Sequence, residues 1–149
     1  PAPVVRKIVH LRWKQRLGPV QIADKLERDE RWGCIMIDLE NFKSVNDTHG
    51  HQRGDEVLVA MGHFLTMHVR PNDIVIRSGG DEFVILLPNA GEQETAAIIR
   101  RLEAARSGAP IRFTMGHAIR LRDTPLDAAL ASADNQLYRV RRERGYQGR

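Results

Sequence analysis

The stretch RSGGDEFVILLP, Arg77 to Pro88, decides the fold because it joins two predicted strands through a pair of glycines. The β-branched run Ile74–Ile76 precedes it, and the apolar run Phe83–Leu87 follows the glycines. A Gly-Gly connection between such runs predicts a β-hairpin, since glycine accepts the positive φ of tight turns. Asp81 and Glu82 add two carboxylates at a tip where backbone can approach a ligand closely. Taken alone, these residues also fit a solvated acidic turn.

Working outward from the hairpin, the chain alternates predicted helices and strands. Helical spacing of apolar residues predicts helices at 20–31, 54–69, 91–106 and 126–142, and short apolar runs predict strands at 34–37 and 111–119. The second helix is expected to share one apolar stripe among Val57, Leu58, Met61, Leu65 and Met67. This order predicts an α/β fold with a central, mostly antiparallel sheet flanked by helices, of the ferredoxin-like or polymerase-palm type. It also places the end of the first strand beside the hairpin tip.

Length and composition indicate one ordinary globular domain. The 149 residues are 42% apolar and 28% charged, and no apolar run approaches the roughly 20 residues that span a bilayer. We expect a single domain over 1–149, with a lead-in or linker at 1–19, a tail at 143–149 and an upstream regulatory domain in the full protein. Cys34 is the only cysteine, so no internal disulfide forms, which fits a cytoplasmic location.

The net charge of +4 favours anionic partners such as nucleotides or nucleic acid. Much of the excess lies in 139–149, however, and a solvated basic terminus explains it equally well.

If the first strand and the hairpin are neighbours, up to four carboxylates are expected to converge on one edge of the sheet. Asp38 and Glu40 flank Leu39 at the end of the first strand, and Asp81 and Glu82 occupy the hairpin tip. Like charges at such a place cost energy unless a cation lies between them. Oxygen ligands without histidine or cysteine favour Mg²⁺ or Mn²⁺. Carboxylate-held metal completed by substrate phosphates is typical of phosphoryl and nucleotidyl transfer.

Two neighbouring features suit a phosphate ligand. Gly79 and Gly80 lack Cβ atoms, so phosphates can lie against the backbone. Lys43, in the loop after the first strand, can offset charge on a leaving pyrophosphate.

Three spaced motifs resemble the GGDEF family of diguanylate cyclases: IDLENFKSVNDTHGHQRGDEVL from Ile37, RPNDIVIRSGGDEF from Arg70 and SADNQLY from Ser132. The resemblance runs from about Ile35 to Tyr138. It implies a reaction that joins two GTP molecules into cyclic di-GMP and releases two pyrophosphates. Because each domain would hold one GTP, it also implies a homodimer, and it makes neither nucleic acid nor membrane a partner of this segment.

The resemblance assigns roles to the residues that match the motifs. Asp38, the Leu39 carbonyl, Asp81 and Glu82 correspond to the metal site, with Asp81 proposed to deprotonate the attacking 3′-hydroxyl. Lys43 and the Phe42 backbone correspond to the site for the terminal phosphates. Asn46 and Asp55 correspond to the pair that reads guanine. A carboxylate accepts from guanine N1–H and N2–H₂, whereas adenine offers no such donor pair. For Asp55 alone, a first-turn aspartate favoured by the helix dipole is the alternative.

A second site is implied by Arg70-Pro71-Asn72-Asp73, which matches the family's R-x-x-D element for product inhibition. Arginine suits this role, since its planar fork bonds phosphate and the guanine O6 and N7 acceptors. Arg101, in the next helix, corresponds to an arginine that some members add. A surface ion pair between Arg70 and Asp73 is the alternative interpretation.

Departures from the family pattern leave other functions open. Glu40 replaces the second aspartate of the D-x-D element, and the family's N-terminal D-x-L-T-G-L-x-N-R segment is not recognisable. Arg141 occupies the position of a phosphate-binding lysine. A degenerate domain that senses GTP or cyclic di-GMP without making it is the first alternative. A nucleic-acid enzyme with a palm-like fold is the second, but it does not explain Asn46 with Asp55.

Overall fold

The computed structural model describes residues 31–144. In chain order the elements are β1 Arg31–Leu39, α1 Phe42–His49, α2 His51–Met67, β2 Ile74–Arg77, β3 Glu82–Pro88, α3 Glu92–Ala105, a 3₁₀ turn Arg106–Gly108, β4 Phe113–Leu121 and α4 Leu126–Glu143. The predicted lead-in at 1–19 and nearly all of the helix predicted at 20–31 lie outside the described residues. None of the described helices has the length and apolar character needed to cross a membrane.

The four strands form one sheet in the order β2-β3-β1-β4, and every neighbouring pair is antiparallel. The predicted fold class is therefore confirmed. β1 and β3 occupy the two central positions, where both of their edges are hydrogen-bonded. Their register pairs Asp38 with Glu82, so the end of β1 lies beside the hairpin tip, as expected.

The two faces of the sheet are covered by different helices. Because side chains alternate along a strand, Ile35, Ile37 and Leu39 pack with α2 and α3, whereas Trp32, Cys34 and Met36 pack with α4. Burying each large side chain of this kind contributes about 1.5–3 kcal/mol. The same alternation directs the next even-numbered residue of β1, Asp38, to the α4 side of the sheet.

α4 lies unusually close to β4 because Gly116 has no side chain. A Cβ atom on Gly116 would lie 2.3 Å from the Ala133 carbonyl oxygen and 2.5 Å from the Leu137 nitrogen. Both contacts are with backbone, which cannot rotate away. Gly116 therefore fixes how closely the last helix approaches the sheet.

The connection after β1 contains a helix that the sequence did not predict. Asn41 adopts a left-handed conformation, with φ of 57°, and turns the chain from β1 into α1. Asparagine tolerates this region better than most residues. Lys43 therefore lies in the first turn of α1 rather than in a loop. Gly50, with φ of 88°, then separates α1 from α2.

Two expectations about individual positions were wrong. Met67 is 79% exposed, because it follows Leu65 by two residues and so lies about 200° around the helix from that buried residue. Phe64 is buried in the core instead. Gly79 and Gly80 do not adopt positive φ. Four residues, 78–81, separate β2 from β3, so the tip is wider than the two-residue turn that demands such angles.

Candidate functional site

The site begins with Asp38, a buried carboxylate at the end of β1. Its residue is 1% exposed, and the register places Glu82 of β3 on one side and Thr114 of β4 on the other. All three lie at one end of the sheet on the side covered by α4. A buried carboxylate is costly unless a positive group or hydrogen-bond donors compensate its charge.

Two arginines at the C-terminal end of α4, one in its last turn and one directly after it, supply positive charge at this end of the sheet. Arg141 forms an ion pair with Asp38, and the two side chains are 13% and 1% exposed. Arg144 lies 3.8 Å from Glu40. The last helix therefore brings two cations to the two acids that flank Leu39.

Glu40 belongs to the β4 side of the site rather than to the hairpin tip. Its carboxylate accepts a hydrogen bond of 2.9 Å from the Thr114 hydroxyl, and its backbone N–H donates to the Arg112 carbonyl at 2.8 Å. The four-carboxylate cluster expected from the sequence is accordingly not assembled. Among residues 31–144, no three histidine, cysteine, aspartate or glutamate side chains gather closely enough to hold a metal ion.

The hairpin tip is held by hydrogen bonds to its backbone. The Leu39 N–H donates to the Asp81 carbonyl, and the Ser78 N–H donates to the Glu82 carbonyl, each at 2.9 Å. Arg77 donates to the carbonyls of Gly79 and Gly80, at 2.9 and 3.1 Å. Asp81 is thereby joined directly to the end of β1, while its side chain remains partly exposed.

Carboxylate oxygens at adjoining strand ends are the donor type that a hard divalent cation prefers, although among the described residues no three of them are close enough to hold one. Asp38, Asp81 and Glu82 carry these oxygens, and the Leu39 backbone, which follows Asp38, is joined to Asp81 by the hydrogen bond from its N–H. In this structure the positively charged guanidinium of Arg141 forms an ion pair with Asp38. A metal ion at this place would be held by few protein carboxylates and would need oxygens from a substrate to complete its coordination.

Asn46 and Asp55 are brought to the junction of α1 and α2. The Asn46 side chain lies on Gly54, where an added Cβ would be only 1.8 Å from its Oδ1 atom. Asp55 is the next residue and is exposed. The absence of a side chain at Gly54 thus allows an amide and a carboxylate to lie close together at the surface. Lys43, one turn earlier on α1, is also exposed.

Arg70 and Asp73 form a well-defined ion pair at the opposite end of β2 from the acidic tip. Arg70 donates to both Asp73 oxygens through Nε and to Oδ1 through Nη2 at 2.8 Å, and it also donates to the Pro88 carbonyl at 2.9 Å. The Asp73 side chain is fully buried, whereas that of Arg70 is 35% exposed. The hydrogen bonds to Asp73 raise the pKa of Arg70 above its ordinary value. Arg101 reaches the same loop, donating to the His68 carbonyl at 3.4 Å.

Sequence reasoning missed three residues of this region. Arg77 is part of the hairpin motif, but the sequence analysis gave it no role. The signal was its position two residues before a pair of glycines, whose exposed carbonyls can accept hydrogen bonds from an arginine. Thr114 and Arg144 carry no local signal, because their contact with Glu40 depends on the pairing of β1 with β4 and on the docking of α4.

Comparison with known proteins finds a matching family model and similar curated proteins. The family model described as "Diguanylate cyclase, GGDEF domain" matches residues 12–147. The diguanylate cyclase DosC of Escherichia coli K12 is 32% identical over 118 residues, which cover 79% of this chain and 26% of DosC. The chain thus spans about a quarter of the length of that relative.

Solved structures show the same fold. The diguanylate cyclase SiaD of Pseudomonas aeruginosa, solved in complex with its activator SiaC, superposes with a TM-score of 0.70 at 28% identity, covering 76% of this chain and 47% of SiaD. The GGDEF domain of DgcB from Caulobacter crescentus, solved in complex with c-di-GMP, has a TM-score of 0.68 at 26% identity, covering 83% and 84%.

Proposed function

The chain belongs to the GGDEF family of diguanylate cyclase domains, and from that membership we propose that it joins two GTP molecules into cyclic di-GMP with release of pyrophosphate. The observation that carries the proposal is the arrangement of Asp38 at the end of β1 beside the Asp81–Glu82 tip, with Arg141 of α4 paired with Asp38. This is an arrangement of acids and cations suited to a nucleoside triphosphate and a divalent cation.

In the proposed reaction the chain's residues bind, orient and deprotonate. Asp38, the Leu39 carbonyl, Asp81 and Glu82 would hold Mg²⁺ or Mn²⁺, which when bound neutralises phosphate charge and polarises the reacting phosphate. Asp81 accepts the proton of the 3′-hydroxyl. Lys43 and the Phe42 backbone hold the terminal phosphates, and Lys43 stabilises the charge that develops on pyrophosphate.

Further residues complete the proposed substrate site. Gly79 and Gly80 are proposed to let a phosphate lie against the backbone: a Cβ built on Gly80 would meet no atom within 4 Å, whereas one on Gly79 would lie 3.5 Å from the Glu82 carboxylate. Arg141 is proposed to bind phosphate oxygens once a metal ion has taken its place at Asp38. Its planar guanidinium is suited to bidentate phosphate contacts.

We propose that the guanine base of GTP is recognised at the junction of α1 and α2. The Asp55 carboxylate accepts from N1–H and N2–H₂ of guanine, and the Asn46 amide can both donate and accept. An adenine at the same place would leave the carboxylate facing an acceptor, which is unfavourable.

Two copies of the domain are needed for one turnover. Each holds one GTP, and each 3′-hydroxyl attacks the α-phosphate held by the other, so we propose a homodimer of half-sites. Arg70 and Asp73, with Arg101 nearby, are proposed to bind the product at a separate inhibitory site. About a third of the Arg70 side chain is exposed and accessible for such a contact.

The deciding experiment is synthesis by the chain itself. The protein, and a version fused to a dimerising coiled coil, are incubated with GTP and Mg²⁺ and the products are separated by chromatography. We expect cyclic di-GMP from the wild type and none from Asp81→Asn, whose melting temperature stays within about 2 °C of the wild type because Asp81 is partly exposed. Asp123→Asn, an exposed turn residue, is the matched control. GTP binding without product in the dimerised wild type would instead identify a sensor domain.

A further inference from the structure

Four consecutive carbonyl groups at the hairpin tip, those of residues 79–82, accept hydrogen bonds. Those of Asp81 and Glu82 accept from backbone N–H groups of Leu39 and Ser78. Those of Gly79 and Gly80 accept from one side chain, Arg77, at 2.9 Å through Nε and 3.1 Å through Nη2. Arg77 is therefore the group that orients the two glycine peptides.

The glycines have little else to hold them. Both are exposed, and a Cβ built on Gly80 meets no atom within 4 Å. Glycine also has more conformational freedom to lose on ordering than any other residue. Arg77 is the side chain that donates hydrogen bonds to the carbonyls of both glycines, while the Glu82 side chain lies beside Gly79, 3.5 Å from the place that a Cβ atom would take.

The orientation of the carbonyls determines where the N–H groups point. The described residues contain no cis peptide bond, so each N–H points opposite to the carbonyl of the same peptide plane. The Gly79 and Gly80 carbonyls face Arg77, and the N–H groups of Gly80 and Asp81 consequently face away from it. Adjacent backbone N–H groups that point outward form a site for an anion such as a phosphate oxygen.

We propose that Arg77 is a positioning residue, whose guanidinium holds the Gly79 and Gly80 carbonyls so that the N–H groups of Gly80 and Asp81 face a substrate phosphate and Asp81 projects from a fixed backbone. The inference rests on the proposed function for the identity of the phosphate. The positioning itself is a property of the domain without substrate.

To span two carbonyls, a side chain needs two N–H donors held at a fixed separation, as in the planar fork of the arginine guanidinium. Lysine keeps the positive charge but presents a single ammonium group, and glutamine keeps one short donor without charge. Arg77→Lys and Arg77→Gln therefore separate the fork from the charge. Arg53→Gln is the matched control, because Arg53 is an exposed arginine that pairs with Glu56 on α2.

The first test measures the tip without any reaction. Amide ¹⁵N relaxation of the wild type is expected to give Gly80 an order parameter near 0.85, as in rigid backbone, and both Arg77 variants are expected to fall below about 0.6. The melting temperature and the order parameters of β1 should not change, which separates a local role from a general loss of stability. An unchanged Gly80 order parameter in Arg77→Gln would overturn the proposal.

The second test measures turnover in the dimerised protein. We expect the kcat/KM for GTP to fall by about tenfold or more in both Arg77→Lys and Arg77→Gln and to stay unchanged in Arg53→Gln. Wild-type turnover in Arg77→Lys would show that charge rather than the fork matters and would overturn the proposal. If the wild type makes no product, the proposed function fails, while the relaxation data still decide whether Arg77 orders the tip.

Discussion

Arg141 on α4 is paired with Asp38 on β1, although 103 residues separate them in the sequence. Both side chains are largely withdrawn from water, at 13% and 1% exposure. The ion pair therefore helps to compensate two charges that are both costly to bury. A divalent cation that approaches Asp38 has to compete with this guanidinium.

Replacing Arg141 with glutamine is expected to have opposite effects on stability and on metal binding. Without metal, the free energy of unfolding should fall by about 3 kcal/mol, because the buried Asp38 carboxylate loses its ion pair with Arg141. Added Mn²⁺ should then raise the melting temperature more in Arg141→Gln than in the wild type, since the competing cation is gone. Arg142→Gln serves as control, because Arg142 is exposed and stacks on Tyr138. Equal Mn²⁺-induced shifts in wild type and Arg141→Gln would contradict the competition.

Asp55→Ala is expected to weaken binding of GTP by about 1–3 kcal/mol, because guanine donors lose their acceptor. Calorimetry with a non-hydrolysable GTP analogue and Mg²⁺ measures this loss, and the ATP analogue should bind the variant no worse than the wild type. Glu56→Ala is the control, since Glu56 is the adjacent acid on α2 and pairs with Arg53. If the wild type binds the two analogues equally, Asn46 and Asp55 do not select the base.

Arg70→Ala is expected to lower affinity for cyclic di-GMP by about tenfold or more, the loss of one charge-assisted contact. Initial rates, measured before product accumulates, should barely change. The variant should also be less stable by about 3 kcal/mol, because it leaves the buried Asp73 carboxylate uncompensated.

The double variant Arg70→Ala/Asp73→Ala separates these two effects. It should recover part of the lost stability, because no buried charge remains, yet bind cyclic di-GMP as weakly as Arg70→Ala. Product affinity equal to that of the wild type in both variants would leave the Arg70–Asp73 pair with a structural role alone.

Cys34 provides a prediction about alkaline pH. Burial raises the pKa of its thiol from 9.0 to about 11. A raised folded-state pKa contributes stability that is complete below pH 9 and is lost as the pH rises through 11. Urea unfolding should therefore show wild type losing about 1.4 kcal/mol relative to Cys34→Ala between pH 7 and pH 10. A constant difference between the two proteins would mean that the thiol ionises in the folded protein as readily as in the unfolded chain.

Strong local patterns explain what could be predicted from the sequence. The apolar runs around Ile35 and Phe83 predicted two strands, and the order of helices and strands predicted that the end of the first strand lies beside the hairpin tip, which the register confirms. The helix Phe42–His49 was missed because only Phe42 is buried on it and its serine, valine, asparagine, aspartate and threonine are weak helix formers.

The features that could not be predicted from the sequence depend on contacts between distant segments of the chain. Nothing in the sequence around Glu40 indicates that its side chain turns to Thr114, because that choice follows from the hydrogen bond of Glu40 to Arg112 after β1 has ended. Likewise, the position of Arg141 at Asp38 depends on how closely α4 approaches β4 at Gly116. Neither relationship is encoded in spacing along the chain.

The dependence of Asp38 on α4 has a consequence during translation. The nascent chain exposes β1 to β4 before α4 has been synthesised, so a sheet formed early on the ribosome would leave the face that α4 later covers, and with it the Asp38 carboxylate, open to water. Docking of α4 then removes this carboxylate from water and brings Arg141 to it in the same step, which offsets the cost of burying the charge. Burial of this end of the sheet is therefore expected to wait until the helix that carries Arg141 has emerged.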